Sequence, residues 1–165
     1  MAQRRGIVDK AAEVREWIKE ISMKRGELGG HAICPYAFSA TVKIVERALK
    51  QLTLKAEFVK FIEIEKHDVA IFILEDDITA ASMLQAISEL SMMFRDYIFL
   101  DDHKSEPTFI NGVQSNFGKY NLLIVQKRDK LLQARENLAG TNYYSFWTEE
   151  MYERIVNGKL PSRQE

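Results

Sequence analysis

The stretch GGHAICPYAF, residues 29–38, holds the only cysteine of the chain, Cys34, three residues after His31. A thiol reacts as its thiolate, and a free cysteine with a pKa near ~8.5 is mostly protonated at neutral pH. A nearby cation or helix N-terminus lowers that value. His31 is close enough in the chain to meet the sulfur in a turn. Pro35 is a favoured first helical residue, which would put Cys34 at an N-cap, facing free backbone amides. On this reading Cys34 is a nucleophile or redox thiol and His31 its base or cationic partner. The competing reading makes Cys34 a small buried hydrophobe and His31 a solvated loop residue.

A second group is LDDHK, Leu100–Lys104. Two carboxylates beside an imidazole can orient it, hold a metal or move a proton. His103 is therefore a candidate catalytic residue, with Asp101 and Asp102 as binding groups across a cleft from Cys34. Were His31 and His103 to converge with either aspartate, two histidines and one carboxylate would match a metal set. No zinc-type spacing supports that, so no metal ligand is assigned, and a solvated strand end is the plainer alternative. A third group, NYYSFWTEEMYER, crowds Tyr143, Tyr144, Phe146, Trp147 and Tyr152 together. Helical spacing puts Tyr144, Trp147 and Met151 on one face, which suits core or subunit contact. No phosphate loop, nucleophile elbow, CxxC pair or zinc signature occurs.

These groups need a scaffold. Val14, Trp17, Ile18 and Ile21 recur at helical spacing after Asp9, a candidate N-cap, and the glycines of RGELGG end that helix. Pro35 restricts Cys34 to an extended conformation. SATVKIVERALKQL fits either a strand or a helix, and so does TLKAEFVKFIEIEKH. DVAIFILED is a strand apolar on both faces. DITAASMLQAISELSMMFRD is an amphipathic helix with Asp77 as its candidate cap, followed by the strand DYIFLDDH. Lys104–Tyr120 reads as one long mobile loop, a candidate lid. NLLIVQK is a strand, RDKLLQARENLAG a helix ended by Gly140, and NYYSFWTEEMYERIVNG a last helix.

The pattern predicts a single α+β domain over residues 1–165, frayed at 1–7 and 159–165. It has a sheet of about four strands, helices packed mainly on one face, and extra N- and C-terminal helices. At 165 residues the chain can bury a full core without staples. With 23 basic and 24 acidic residues the net charge is −1, which gives no electrostatic case for nucleic acid or an anionic membrane. One cysteine excludes an intrachain disulfide framework and suits a reducing compartment. The N-terminal MAQRRGIVDKAAEV lacks an apolar signal core, and VAIFIL is far short of the roughly 20 residues of a membrane span. A cytoplasmic protein is expected.

VREWIKEISMKRGELGGHAICPYA resembles the opening of an uncharacterised bacterial family, the domain of unknown function numbered fourteen-fifteen. That family begins with a Trp-containing helix leading to a Cys-Pro-Phe-Ala motif. Its later blocks are similar to DVAIFIL, YIFLDDH and NFGKYNLLIVQKRDKL. The resemblance puts Trp17, Cys34, Pro35, Ala37, Asn116 and Tyr120 on motif positions. It also favours a strand at TVKIVER and a helix at TLKAEFVKFIEIEKH. The family's His-Pro-Asp-Tyr stretch is not reproduced in LDDHKSEPTF, and its Asn-Arg-Ser-Pro-Tyr-Pro stretch survives only as NFGKYN. CPYA and EPTFINGVQ also resemble parts of glutaredoxins, but the second cysteine of that family's pair is Ala37 here.

The expectation is a small soluble enzyme acting on a small molecule around Cys34, His31 and His103. Its binding groups are Tyr36, Asp101 and Asp102, joined through the family resemblance by Asn116 and Tyr120. The cofactor is unspecified, and a homo-oligomer stays open. The alternative is a non-catalytic interaction protein docking through the aromatic C-terminal helix, with Cys34 structural.

Overall fold

A computed structural model describes residues 8–45 and 66–158 of the protein. Helix α1 runs Lys10–Ile21, and Asp9 caps it by accepting the Ala12 N–H at 3.0 Å. A 3₁₀ turn follows at Gly26–Leu28 and a second at Pro35–Phe38. Strand β1 covers Val42–Val45, so VKIV is a strand as far as TVKIVER is described. The ambiguous run from residue 53 onward lies outside the described residues up to 65, as do both expected frayed ends. Strand β2 is Val69–Ile73, helix α2 Ala80–Met93 and strand β3 Tyr97–Asp102. Strand β6 is Leu122–Lys127 and helix α3 Arg128–Ala139.

The main sheet has the order β1-β2-β6-β3. β1 and β2 are parallel, and β6 runs antiparallel to both β2 and β3. β2 and β3 therefore run the same way with β6 between them, and α2 crosses from one to the other in a split βαβ unit. The architecture is α+β.

Side chains alternate across the strands. Ala70, Phe72, Leu123, Val125 and Phe99 face α2 and close a core with Met83, Ala86 and Leu90. Val69, Ile71 and Leu122 face the other way, with Ile124 beside them, against Val14, Trp17 and Ile18 of α1. Among the described helices, α2 covers one face. α1 and α3 serve the other, together with the C-terminal helix α4, Glu149–Ile155.

Three local expectations change. α2 is capped by Thr79, whose hydroxyl accepts the Ser82 N–H at 3.1 Å, because Ile78 is drawn into the core and the helix starts beyond it. The expected last helix breaks at Thr148. Tyr143–Phe146 is a 3₁₀ turn, and an extended Thr148 caps α4 by accepting the Met151 N–H at 3.2 Å. The expected long loop contains a hairpin, β4 Phe109–Ile110 with β5 Val113–Gln114. Asn111 and Gly112 both take positive φ, 46° and 80°, the two-residue turn that Asn-Gly favours. The hairpin tip is tied down, since Asn111 Nδ2 donates to Glu27 O at 2.8 Å. No helix among the described residues is long and apolar enough to cross a membrane.

Candidate functional site

The face of the sheet opposite α2 carries a cavity of about 260 Å³. Its floor includes Val69, Ile71, Leu100, Ile124 and Gln126 of the sheet. Trp17, Ile18 and Ile21 of α1 form one wall, and Ile33–Ala37 a second. The hairpin adds Thr108, Ile110, Ser115 and Asn116. The C-terminal wall holds Arg135 and Leu138 of α3, Tyr143, Tyr144 and Trp147, and Met151, Arg154 and Ile155 of α4. That volume is just under the roughly 300–1,000 Å³ of ordinary ligand pockets.

Cys34 stands half-buried in this wall. Its own amide donates to Ile21 O at 2.8 Å, fastening the turn to the end of α1. Pro35 opens the 3₁₀ turn, so Cys34 does occupy an N-cap position, but with φ −127° and ψ 89° its backbone is non-helical without being the fully extended one expected before a proline. The sulfur makes no capping hydrogen bond. Burial pushes the thiol above its ordinary value, outweighing the nearby amides of Ala37 and Tyr36 and the cation of Arg135, which act the other way. Cys34 at rest is a neutral thiol.

His31 is not in the cavity wall. The positive-φ pair Gly29–Gly30 turns the chain so that His31 Nε2 meets Asn142 Oδ1 at 2.8 Å, with its ring edge-on to Tyr143. A side chain on Gly29 would come within 2.9 Å of the Phe146 ring, so the glycine also lets the C-terminal segment approach. His103 does line the cavity, but both its nitrogens are engaged. Nε2 donates to Ile78 O at 2.6 Å, and Nδ1 accepts from Ser105, from N at 3.2 Å and from Oγ at 2.7 Å. A ring that donates through one nitrogen and accepts through the other is the neutral tautomer. The two histidines thus sit in separate networks, and no metal-holding cluster of three His, Cys, Asp or Glu occurs among the described residues.

Asp102 is buried in the wall beside the hairpin. Its Oδ2 accepts the Phe117 N–H at 3.0 Å, and Asn116 Nδ2 approaches Oδ1 at 3.5 Å. Burial outweighs these bonds and raises its carboxyl to about 6. Asn116 Oδ1 accepts the Thr108 N–H at 3.0 Å, linking Asp102 to the start of the hairpin. Asp101 is paired with Arg154 of α4 at 2.7 Å. Tyr36 lines the cavity; its buried hydroxyl has no hydrogen-bond partner among the described residues, and burial raises it to about 12. Tyr120 lies on the same sheet face outside the cavity, and its hydroxyl donates to Glu13 of α1. Of the residues singled out from sequence, Cys34, Tyr36, Asp101, Asp102, His103 and Asn116 share the cavity, and His31 and Tyr120 do not.

The sequence reading passed over Arg135, Tyr143 as a wall residue, and Asn121. Asn121 is fully buried and pins the approach to α2: Oδ1 accepts the Lys104 N–H at 3.0 Å, and Nδ2 donates to Glu75 O at 3.2 Å and Ile78 O at 3.3 Å. Tyr143 is 4% exposed and its hydroxyl donates to Ile33 O, next to Cys34. Arg135 carried a signal, since Leu131, Arg135 and Leu138 fall at i, i+4 and i+7 on one helix face. No known protein family, curated protein or solved structure matches the chain.

Proposed function

We propose that this is a small soluble cytoplasmic protein that binds a small molecule in the cavity and acts on it through Cys34. One observation carries the reading: the cavity gathers the lone thiol with Asp102, Asn116 and His103 behind a mostly apolar wall. A concave apolar site with a few convergent polar groups is the usual form of a small-molecule site. Because the thiol rests neutral, ligand binding must activate it, and Asp102, whose carboxyl sits at about 6, is the cavity's group suited to take a proton near neutral pH. His103 then holds the wall in place rather than moving a proton. Phe146 and Trp147 pack onto the Ile21, Leu28, Ile33 and Ile110 cluster of their own chain, and the Tyr143 hydroxyl donates to Ile33 O, which favours the cavity over a docking surface there.

Kinship with the domain of unknown function fourteen-fifteen belongs to the same proposal. Trp17, Cys34, Pro35, Ala37 and Asn116, five of the six shared motif positions, all border the cavity. Charge balance supports a partner that is neither nucleic acid nor membrane, and a homo-oligomer is compatible with it.

The test is alkylation of the folded protein with iodoacetamide. Cys34 is expected to label without denaturant, slowly at neutral pH, and the adduct to fill the cavity and quench Trp17 or Trp147 fluorescence. Labelling that waits for unfolding would make Cys34 a structural residue and remove the proposal's reactive group.

A further inference from the structure

We propose that the ligand of this cavity is a small apolar monocarboxylate and that Arg135 binds its carboxylate; this rests on the cavity being a small-molecule site. Among the described residues two arginines, Arg135 and Arg154, reach the wall, and they differ. Arg154 is neutralised by Asp101 at 2.7 Å. Arg135 has no acidic partner among the described residues, and its hydrogen bond there runs from Nη2 to Ile155 O at 3.3 Å. A guanidinium offers five N–H donors in a planar fork, so most of that capacity is unused. Half-burying a cation without a counter-charge is unfavourable, and burial here lowers the pKa of Arg135. A carboxylate supplies the missing charge and matches the fork with two parallel hydrogen bonds.

The surroundings fix the rest of the ligand. Tyr143, Tyr144 and Tyr152 lie within electrostatic reach of the guanidinium, and so does the Cys34 sulfur. Tyr143 and Tyr144 meet Trp147 edge to face, Tyr144 standing 5.1 Å from Trp147 and 5.2 Å from Tyr152. Leu138, Met151 and Ile155 complete an apolar sleeve. The acids that the described residues bring to the wall are elsewhere. Asp101 is held by Arg154, Asp102 by Phe117 and Asn116 at the hairpin, and Glu106 is exposed on the segment before the hairpin. A ligand with its charge at Arg135 therefore runs its apolar body over the sheet floor, past Cys34.

Hexanoate, 1-hexanol and hexylamine share one chain and differ in the head group. Their binding is read from backbone amide and indole shifts in NMR titrations. Hexanoate is expected to bind at least about tenfold tighter than 1-hexanol, and hexylamine weakest. In Arg135→Gln the advantage of hexanoate should vanish while 1-hexanol binding is kept, and Arg135→Lys should restore part of it. Should Arg135→Gln not fold, the three-probe comparison on the unmutated protein still decides. Equal binding of hexanoate and 1-hexanol, or tighter binding of hexylamine, overturns the anion assignment and leaves the cavity a small-molecule site. Cavity shifts from none of the three overturn both.

Discussion

The two faces of the sheet are built to different standards. On one, Phe72, Phe99, Leu123 and Val125 meet Met83, Ala86 and Leu90 of α2 in a closed apolar core. On the other, the strands offer Gln126 and Asp102 beside Val69, Ile71 and Leu100, and the covering segments stand off far enough to leave about 260 Å³. Unfilled volume lowers stability, and so does a buried carboxyl. Interiors are normally packed to the density of organic crystals. A chain that packs one face this closely has the means to pack the other, so the open face departs from close packing where a ligand would need the room.

Truncation should separate the faces most. Leu90 is almost fully buried in the closed core, and Leu90→Ala should cost about 3–5 kcal/mol, measured by urea unfolding. Met151 is half-buried and already borders the cavity, so Met151→Ala should cost about 1 kcal/mol. Equal losses would mean that the open face is as tightly packed as the other.

Asp102 gives the next largest effect, and its sign is opposite to the common acid case. Its carboxyl is at 3.8 unfolded and about 6 folded. Between those values the folded chain holds a proton that the unfolded chain has lost. The group's contribution is therefore full below about pH 4 and disappears as the pH rises through 6. Asp102→Asn cannot ionise and keeps an oxygen for the Phe117 amide. From pH 4.5 to 7.5 it should gain on the order of 2 kcal/mol relative to the parent. Chemical denaturation at the two pH values checks this, and a constant difference between the proteins would refute the buried carboxyl.

Enlarging side chains should act in opposite directions on the two faces. Ala86 is enclosed by the closed core, and Ala86→Leu should overpack it at a cost of about 1–3 kcal/mol. Ala40 borders the cavity, so Ala40→Leu should be neutral or stabilise by about 0.5–1 kcal/mol. The same substitution should weaken hexanoate binding. Thermal melts of both variants are sufficient, and a destabilised Ala40→Leu would show that the space is not free to fill.

What was legible in the sequence follows the same division. The closed face came through because its signals are periodic. The all-apolar VAIFI and the 3.6-residue repeat of Met83, Leu84, Ile87 and Leu90 need no tertiary knowledge. The open face is covered by irregular chain as well as by α1, α3 and α4, and in the irregular chain single residues decide. Asn111-Gly112 between Phe109–Ile110 and Val113 was a hairpin signal, outweighed by the proline and glycines that make the segment look like a loop. Thr148 before two glutamates was a cap signal inside an apparently continuous helix. Spacing suggested His31 for Cys34, but proximity in sequence is no guide once two positive-φ glycines redirect the chain. Arg135 is a different case. Its place on an apolar stripe is visible in the sequence, but its lack of a counter-charge emerges only when Asp101 is seen to be taken by Arg154.

The smallest expected effect bears directly on that contrast between histidine and arginine. Burial holds the Cys34 thiol above its ordinary value, and Arg135 is the cation that partly opposes it. The iodoacetamide rate should therefore still be rising with pH beyond the point where an exposed cysteine levels off. Arg135→Gln removes the opposing charge and should slow labelling several-fold at a fixed pH of 8. His31 is bonded to Asn142 outside the cavity, so His31→Ala should change the rate by less than about twofold. Melting curves recorded alongside separate a lost cation from a loosened fold, because local opening speeds alkylation while loss of Arg135's charge slows it. If His31→Ala slows labelling and Arg135→Gln does not, the thiol answers to the histidine after all, and the carboxylate assignment loses the cation that anchors it.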